Sequence, residues 1–497
     1  MERTRIDLHP RHSVGEASPL IYGGFLEHMG RSIYGGVYQP TSAHADEDGC
    51  RTDVIEALRE LEMTVVRYPG GNFASGYHWR DGVGPKAERP TVRELAWQSL
   101  EPNHFGTDDF LRLCSKLEWT PMLAVNLGTG TPEEARDWVE YTNAKAGTRF
   151  SEMRAVNGHP APYGVPLWCL GNEMDGPWQL GHVPAEQYAI RAQQAAKMMK
   201  DCDRSIETVA CGSSAPRMPT YLEWDRTVLE HVGELADHVS LHRYVGNSHA
   251  DTPSYLGIGS SIDAQIEAVD ACCRYVQAKT KSAKRAYLCF DEYNVWYKAR
   301  TPDHMDGKGK FAPHLVEEVY NLEDALVVAA FLMSFLRHAD VVKIANLAQL
   351  VNVIGPLLTD GDRLLKQSIF YAFRAFSTRK GGVSLRTAID GPTYECHYGE
   401  LDALDAAATL DGDLLHVFAL NRDTVEPTPV AVALAGRELV ETVSSELLWA
   451  PDVDAANSFA DPEMVVAEPF EGWQLGTEAS TELPRHSLVT TTFRVGR

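Results

Sequence analysis

The sequence predicts an α/β fold: a (β/α)8 TIM barrel with an appended C-terminal all-β sandwich of jelly-roll type. Three observations carry this. Between residues 20 and 380, short apolar runs alternate with longer amphipathic segments in eight strand-then-helix units, and that alternation implies a parallel sheet with helical crossovers. After Thr378-Arg-Lys-Gly-Gly the rhythm changes to period-2 runs separated by turn residues, as antiparallel sandwich strands require. No glycine-rich nucleotide fingerprint follows an early strand, so the runner-up, a doubly wound open sheet, loses its main support. A length of 497 residues exceeds one core and fits a barrel with a second domain.

The elements follow in order. Residues 4–9 alternate weakly and predict a short strand that joins the sandwich. The expected domains are therefore 18–378 for the barrel and 1–17 plus 379–497 for the sandwich. The first barrel strand, Ile21 to Leu26, ends in Glu27-His28. Asp53 to Leu61 reads as a helix with Thr52 as N-cap. Thr64 to Tyr68 is a strand, broken by Pro69-Gly70-Gly71-Asn72. A long loop rich in glycine and aromatics runs from Phe73 to Asn103, and a helix from Thr107 to about Leu117. Pro121 to Val125 is a strand ending in Asn126. Thr131-Pro132-Glu133-Glu134 starts a helix with a cap, a proline in the first turn and acids behind it. Pro166 to Leu170 is a strand ending in Gly171-Asn172-Glu173, and Pro184 to Met199 is helical.

Thr208 to Cys211 is a strand leading to Gly212-Ser-Ser, with a helix from Thr220 to Val232. His238 to Leu241 ends in His242-Arg243-Tyr244, with a helix from Ile262 to Ala278. Ala286 to Phe290 ends in Asp291-Glu292-Tyr293-Asn294, with an apolar helix from Leu322 to Leu336. Val341 to Ala345 runs on to Gln349, and Leu365 to Phe376 is the last helix. The period-2 runs of the sandwich include 414–420, 430–434 and 488–495.

Composition excludes several functions. A formal charge of −23 disfavours nucleic acid and anionic membranes as partners. The N-terminus has no apolar signal region, and the longest apolar run, Ala325 to Met333, cannot span a bilayer. Nine cysteines without a CxxC pair read as reduced thiols, which argues against structural zinc and for the cytoplasm. No His-x-His or HExxH spacing is present, so neither a metal nor a cofactor is expected. Asp46-Glu-Asp48-Gly49 fails the EF-hand pattern and reads as a solvated acidic turn. Residues 303–310 read as a mobile insertion on the barrel's active face, suited to a lid or a subunit contact.

Barrel chemistry sits at the C-terminal ends of strands. Those ends carry two carboxylates, Glu173 on the fourth barrel strand and Glu292 on the seventh. Amides and aromatics surround them, with Trp79, Trp97, Trp178 and Trp296 in nearby loops. Such a set suits a neutral polyhydroxylated ligand, and two carboxylates flanking a bond are the apparatus of glycoside hydrolysis.

Four motifs together resemble the α-L-arabinofuranosidases of glycoside hydrolase family 51: Gly171-Asn172-Glu173, Phe290-Asp291-Glu292-Tyr293-Asn294-Val295-Trp296, Arg67-Tyr68-Pro69-Gly70-Gly71-Asn72 and His242-Arg243-Tyr244. The resemblance runs nearly end to end. It implies a retaining, exo-acting hydrolase that releases terminal arabinofuranosyl residues from arabino- or arabinoxylo-oligosaccharides. By position, Glu173 is the implied acid/base and Glu292 the implied nucleophile. Glu27, Arg67, Asn72, Trp97, Asn172, His242, Tyr244, Trp296 and Gln349 are the implied sugar-subsite residues. A homo-oligomer, a hexamer in many family members, is implied as well. Val245 and Tyr293 depart from the pattern, where an aromatic and a tryptophan respectively are common.

A retaining pair sits about 5–5.5 Å apart, an inverting pair about 6.5–9.5 Å. Glu292 is expected to attack as a carboxylate, helped by Arg67. Glu173 is expected to be protonated, and Asn172 to bond the sugar 2-hydroxyl. The alternatives are another retaining glycosidase on the same barrel, such as a β-xylosidase or endoglucanase, a non-catalytic carbohydrate-binding protein, and a metal-dependent hydrolase.

Overall fold

Apolar residues two apart on successive strands build the centre of the molecule. Val65, Met122, Ala124, Leu167, Cys169, Val209, Cys289 and Ile344 form one buried cluster. Their strand neighbours Val66, Leu123, Trp168 and Leu170 belong to the larger core. With both faces covered, each strand reads as a continuous apolar run. The computed structural model describes residues 3–496. Apart from an N-terminal strand β1 (Thr4–Glu16), its first eight long-range strands are β2 (Gly23–Phe25), β3 (Val65–Tyr68), β4 (Thr120–Ala124), β5 (Leu167–Leu170), β6 (Glu207–Cys211), β7 (His238–Val245), β8 (Tyr287–Val295) and β9 (Val342–Ala348). They close into a parallel barrel in chain order, sealed where Asn346 of β9 pairs with Gly23 of β2.

Helices follow the strands, with local departures from expectation. Thr131 caps the helix Pro132–Asn143 by accepting from the Glu134 N–H at 3.1 Å. Thr52 is not a cap: Arg51 holds that position, and the Thr52 hydroxyl donates to the His44 carbonyl. The last barrel helix starts at Ser368 rather than Leu365, because Leu357–Asp360 and Arg363–Lys366 pair as a hairpin first. Two helices lack a legible apolar stripe, Arg149–Val156 and Thr252–Leu256. The first buries Ser151 and Arg154 beside Phe150, so polar residues occupy its inner face.

The C-terminal β-sandwich is a nine-stranded sheet around its own core, which includes Ile6, Leu8, Val417, Val432 and Phe493. β1 lies inside it, antiparallel to Val383–Asp390 and parallel to Thr428–Leu434. Helix Leu322–Arg337 is buried along almost its whole length. It leaves the barrel on one side and meets the sandwich on the other, where Arg337 pairs with Asp405 at 2.8 Å. Phe376 stacks on Phe418 across the same boundary, 4.2 Å between centroids.

Two loops differ from expectation. The insertion at 303–310 is docked, with the Gly307 and Gly309 N–H groups donating to the carbonyls of Trp97 and Gln98. The acidic turn is not merely solvated: Asp46 and Asp48 both pair with Lys116. Among the described residues all nine cysteines are free, and no helix is long and apolar enough to cross a membrane.

Candidate active site

Glu292 reaches the site through an irregularity in β8. From Cys289 to Glu292 the strand advances three residues while β7 advances two, Ser240 to His242. The same excess appears against β9. This is a bulge, which re-aims side chains at a strand end. Adjacent Asp291 and Glu292 would point to opposite faces of a regular strand. Here both face Arg67 and His242.

Glu173 follows β5 at φ +42°, in the left-handed region. A non-glycine residue held there stores local strain, of order 1–3 kcal/mol. Its Oε2 accepts from Trp178 Nε1 at 2.6 Å and its Oε1 lies 3.0 Å from His242 Nδ1. The same nitrogen lies 3.1 Å from Glu292 Oε2. Carboxylate oxygens of Glu173 and Glu292 come within 4.8 Å of each other. An approach this close fits the double-displacement arrangement, whose carboxyls sit about 5–5.5 Å apart.

Around Glu292, Tyr244 donates its hydroxyl to Oε1 at 2.7 Å and Arg67 Nη1 lies 3.3 Å from Oε2. Arg67 also bonds Asn172 Oδ1 at 2.7 Å. Burial opposes charging of His242, but Glu292, Asp291 and Glu173 push its pKa up to about 10. Burial acts against Asp291 too, yet Arg67, His242 and Ser240 hold it down at about 2. Burial pushes the Glu292 carboxyl up, and the Glu173 charge adds to this, while His242, Arg67 and Tyr244 work the other way. The site thus holds two buried cations against a row of carboxyls.

Glu27 is built in by its neighbours. It accepts from the Phe73 N–H at 2.9 Å, from Trp97 Nε1 at 3.0 Å and from Gln349 Nε2 at 3.2 Å. A Cβ on Gly70 would stand 2.4 Å from Glu27 Cγ, so only glycine allows this approach. Burial pushes the Glu27 carboxyl up to about 8.

A cavity of about 960 Å³ opens over these groups, with Glu27, Asn72, Trp97, Glu173, Tyr244, Glu292, Trp296 and Gln349 on its wall. Arg67, Asn172 and His242 stand behind that wall, each at most 2% exposed, and meet it through the two glutamates and Asn72. Of the four loop tryptophans, Trp97, Trp178 and Trp296 line the cavity. Trp79 is core, stacked on Trp138. Val245 lines the cavity, whereas Tyr293 packs outward on Phe331 and Phe335.

Two residues without an expected role are central. Trp178 returns to Glu173 across the Gly176-Pro177 turn, five positions on. Asp291 binds the far side of His242 through Nε2, at 3.3 Å. The Glu-His-Glu cluster also has the spacing of a cation site. A protonated imidazole has no lone pair at Nδ1 to offer a metal, so the charge network that protonates His242 works against that use.

Comparison with known proteins agrees with this geometry. The family profile described as the α-L-arabinofuranosidase 1 domain matches residues 57–255, and the α-L-arabinofuranosidase C-terminal domain matches 291–487. An intracellular exo-alpha-(1->5)-L-arabinofuranosidase of Streptomyces lividans is 44% identical, over 96% of this chain and 73% of its own. One from Bacillus subtilis is 43% identical over 92% of each. The solved structure of a family 51 α-L-arabinofuranosidase from Bifidobacterium longum superposes with a TM-score of 0.95 at 36% identity, covering 99% of this chain and 100% of that one. With this identity sustained over both domains, the chain belongs to the α-L-arabinofuranosidases of glycoside hydrolase family 51.

Proposed function

We propose that this glycoside hydrolase removes terminal α-L-arabinofuranosyl residues from short arabino- or arabinoxylo-oligosaccharides by double displacement, with Glu292 as nucleophile and Glu173 as acid/base. The observation that carries the reading is the approach of the two carboxylates to within 4.8 Å on the wall of one cavity. Glu292 attacks the anomeric carbon. Tyr244 and Arg67 orient its two oxygens, so the attacking lone pair needs little reorganisation. Glu173 protonates the departing oxygen, then takes a proton from the water that hydrolyses the glycosyl-enzyme. Trp178 fixes one Glu173 oxygen, leaving the other for exchange with His242 or the leaving group.

His242 is a positioning residue in this scheme. It holds a positive charge between the carboxyls and sets Glu173 and Glu292 at reacting distance. Several relatives, including those from S. lividans and B. subtilis, bear the name exo-alpha-(1->5)-L-arabinofuranosidase. We extend that to (1->5)-linked arabino-oligosaccharides as one substrate class here, and to function inside the cell.

Two variants test the roles. Glu173→Ala should abolish turnover of arabino-oligosaccharides yet spare much of the first step on 4-nitrophenyl α-L-arabinofuranoside, whose leaving group needs no acid. Glu292→Ala should lose both, and azide rescue should give the inverted glycosyl azide. Equal loss on both substrates in Glu173→Ala, or full-speed Glu292→Ala, would reject the assignment.

A further inference from the structure

Three arginines converge on one rim of the catalytic cavity. Arg217 comes from the loop after β6, Arg243 from β7 and Arg300 from the loop after β8. The rim lies on the Glu173 side: the loop bearing Arg217 is tied to the one bearing Glu173 where the Ser214 N–H donates to Asp175 Oδ2 at 3.0 Å, and the Arg300 guanidinium stacks 4.5 Å over the Trp296 ring. Glu173 gives its proton to the oxygen that departs from the anomeric carbon, so this rim faces the aglycone.

The three charges have no carboxylate partners among the described residues. Arg243 is largely buried, and its Nη2 donates to the Ser261 hydroxyl at 2.8 Å. Burial depresses the pKa of both Arg243 and Arg300, and the charge of Arg217 repels each. In a chain of net charge −23, acids were available to neutralise them. The one acid on the same rim, Asp251, is engaged as a helix cap on the Ser254 N–H. A hairpin of the C-terminal domain, Thr393–Cys396 with Gly399–Asp402, closes the rim from outside. It is held where the Tyr394 hydroxyl donates to the Pro253 carbonyl and the His397 N–H to the Ser254 hydroxyl. Its tip brings His397 and Tyr398 into the cavity wall.

Unpaired guanidinium groups that repel one another in a partly dehydrated cleft await an anion. Arginine forks match a carboxylate in geometry and charge. From this convergence we propose that the Arg217–Arg243–Arg300 rim is an aglycone subsite for a carboxylate, so that the enzyme favours arabinofuranosyl groups borne on uronic-acid-containing oligosaccharides. The proposal rests on the arabinofuranosidase reading and adds the class of the leaving group.

The test uses a matched pair of aryl glycosides, 3-carboxyphenyl and 3-carbamoylphenyl α-L-arabinofuranoside, one anionic and one neutral. The readout is the ratio of their kcat/KM values. Misfolded enzyme cancels in that ratio, and the intrinsic difference between the two leaving groups cancels when a variant is compared with wild type. The double variant Arg217→Gln/Arg300→Gln should lower the ratio about tenfold, two partly exposed ion pairs' worth. Arg217→Lys should retain most of the preference, and added salt should erode it in wild type. A ratio unchanged within about twofold in the double variant overturns the proposal. If wild type cleaves neither glycoside, the arabinofuranosidase reading itself falls.

Discussion

Glu27 is a carboxyl folded into a place that disfavours its charge, and this has a measurable consequence. Burial raises its pKa to about 8, against an ordinary value near 4.5. Above pH 4.5 the unfolded chain releases this proton and the folded chain keeps it, so wild type loses stability as pH rises towards 8. By linkage the whole window is worth at most about 5 kcal/mol. Glu27→Gln has no proton to release, so its melting temperature should gain on wild type steadily from pH 4.5 to 8. A difference that stays flat across the window would show that Glu27 is ionised in the folded protein. His242 acts in the same sense over a higher pH window. Its pKa is raised to about 10, so its contribution is complete below about pH 6.5 and is lost as pH climbs through 10. His242→Gln removes a cation beside Glu292. The acidic limb of its kcat/KM profile should then move to higher pH, with kcat down about a hundredfold, the scale of a 1 Å misplacement of reacting groups. A limb that stays in place would mean that Arg67 alone sets the charge on Glu292. The types of these residues were legible from the strand-end motifs. Their placement was not: whether a side chain lines a cavity or stands behind its wall depends on strand tilt and register. Arg67, Asn172 and His242 therefore read as sugar contacts, whereas the structure sets them behind the cavity wall.

At the scale of elements, the turn Gly176-Pro177-Trp178 connects a small backbone requirement to catalysis. A Cβ on Gly176 would sit 2.5–2.9 Å from the Trp178 indole, whose N–H bonds Glu173. Gly176→Ala should push the indole away, freeing Glu173 while leaving the barrel intact. The expected result is a loss of about tenfold in kcat/KM on oligosaccharides, little change on 4-nitrophenyl arabinofuranoside, and an unaltered melting temperature. Equal losses on both substrates would instead place the damage outside acid catalysis. Trp178 stood in the sequence as one tryptophan of four, with no mark to tell it from Trp79, which is core. The barrel strands were legible because both faces are covered and each reads as an apolar run. The bulge in β8 was not, because a bulge is a difference in count between paired strands and one strand carries no sign of it. The helix Arg149–Val156 was hidden for a related reason: its inner face includes Arg154, whose guanidinium is satisfied by backbone carbonyls, and periodicity of apolar residues cannot report that.

For the whole molecule, the change of rhythm after residue 378 separated two architectures, but how tightly they join is a property of three dimensions. β1 is the sole link in the sheet order between Val383–Asp390 and Thr428–Leu434. Removing it divides nine strands into groups of six and two, and leaves two long edges open to pairing with other chains. The sheet core would also lose Ile6 and Leu8, both buried; two such side chains contribute about 3–6 kcal/mol, a large share of the stability of an ordinary domain. The loss would not stay in the sandwich. Helix Leu322–Arg337 is buried between sheet and barrel, and the hairpin bearing His397 and Tyr398 reaches the catalytic cavity. A chain beginning at Ala17 should therefore be largely insoluble and inactive when expressed alone. A peptide of residues 3–16 supplied during refolding should restore soluble, active enzyme by adding the missing strand. The soluble fraction, its melting curve and its arabinofuranosidase activity measure this together. Wild-type activity and melting temperature in the truncated chain would show that barrel and sandwich are independent, and that the N-terminal strand decorates the sheet rather than joining its halves.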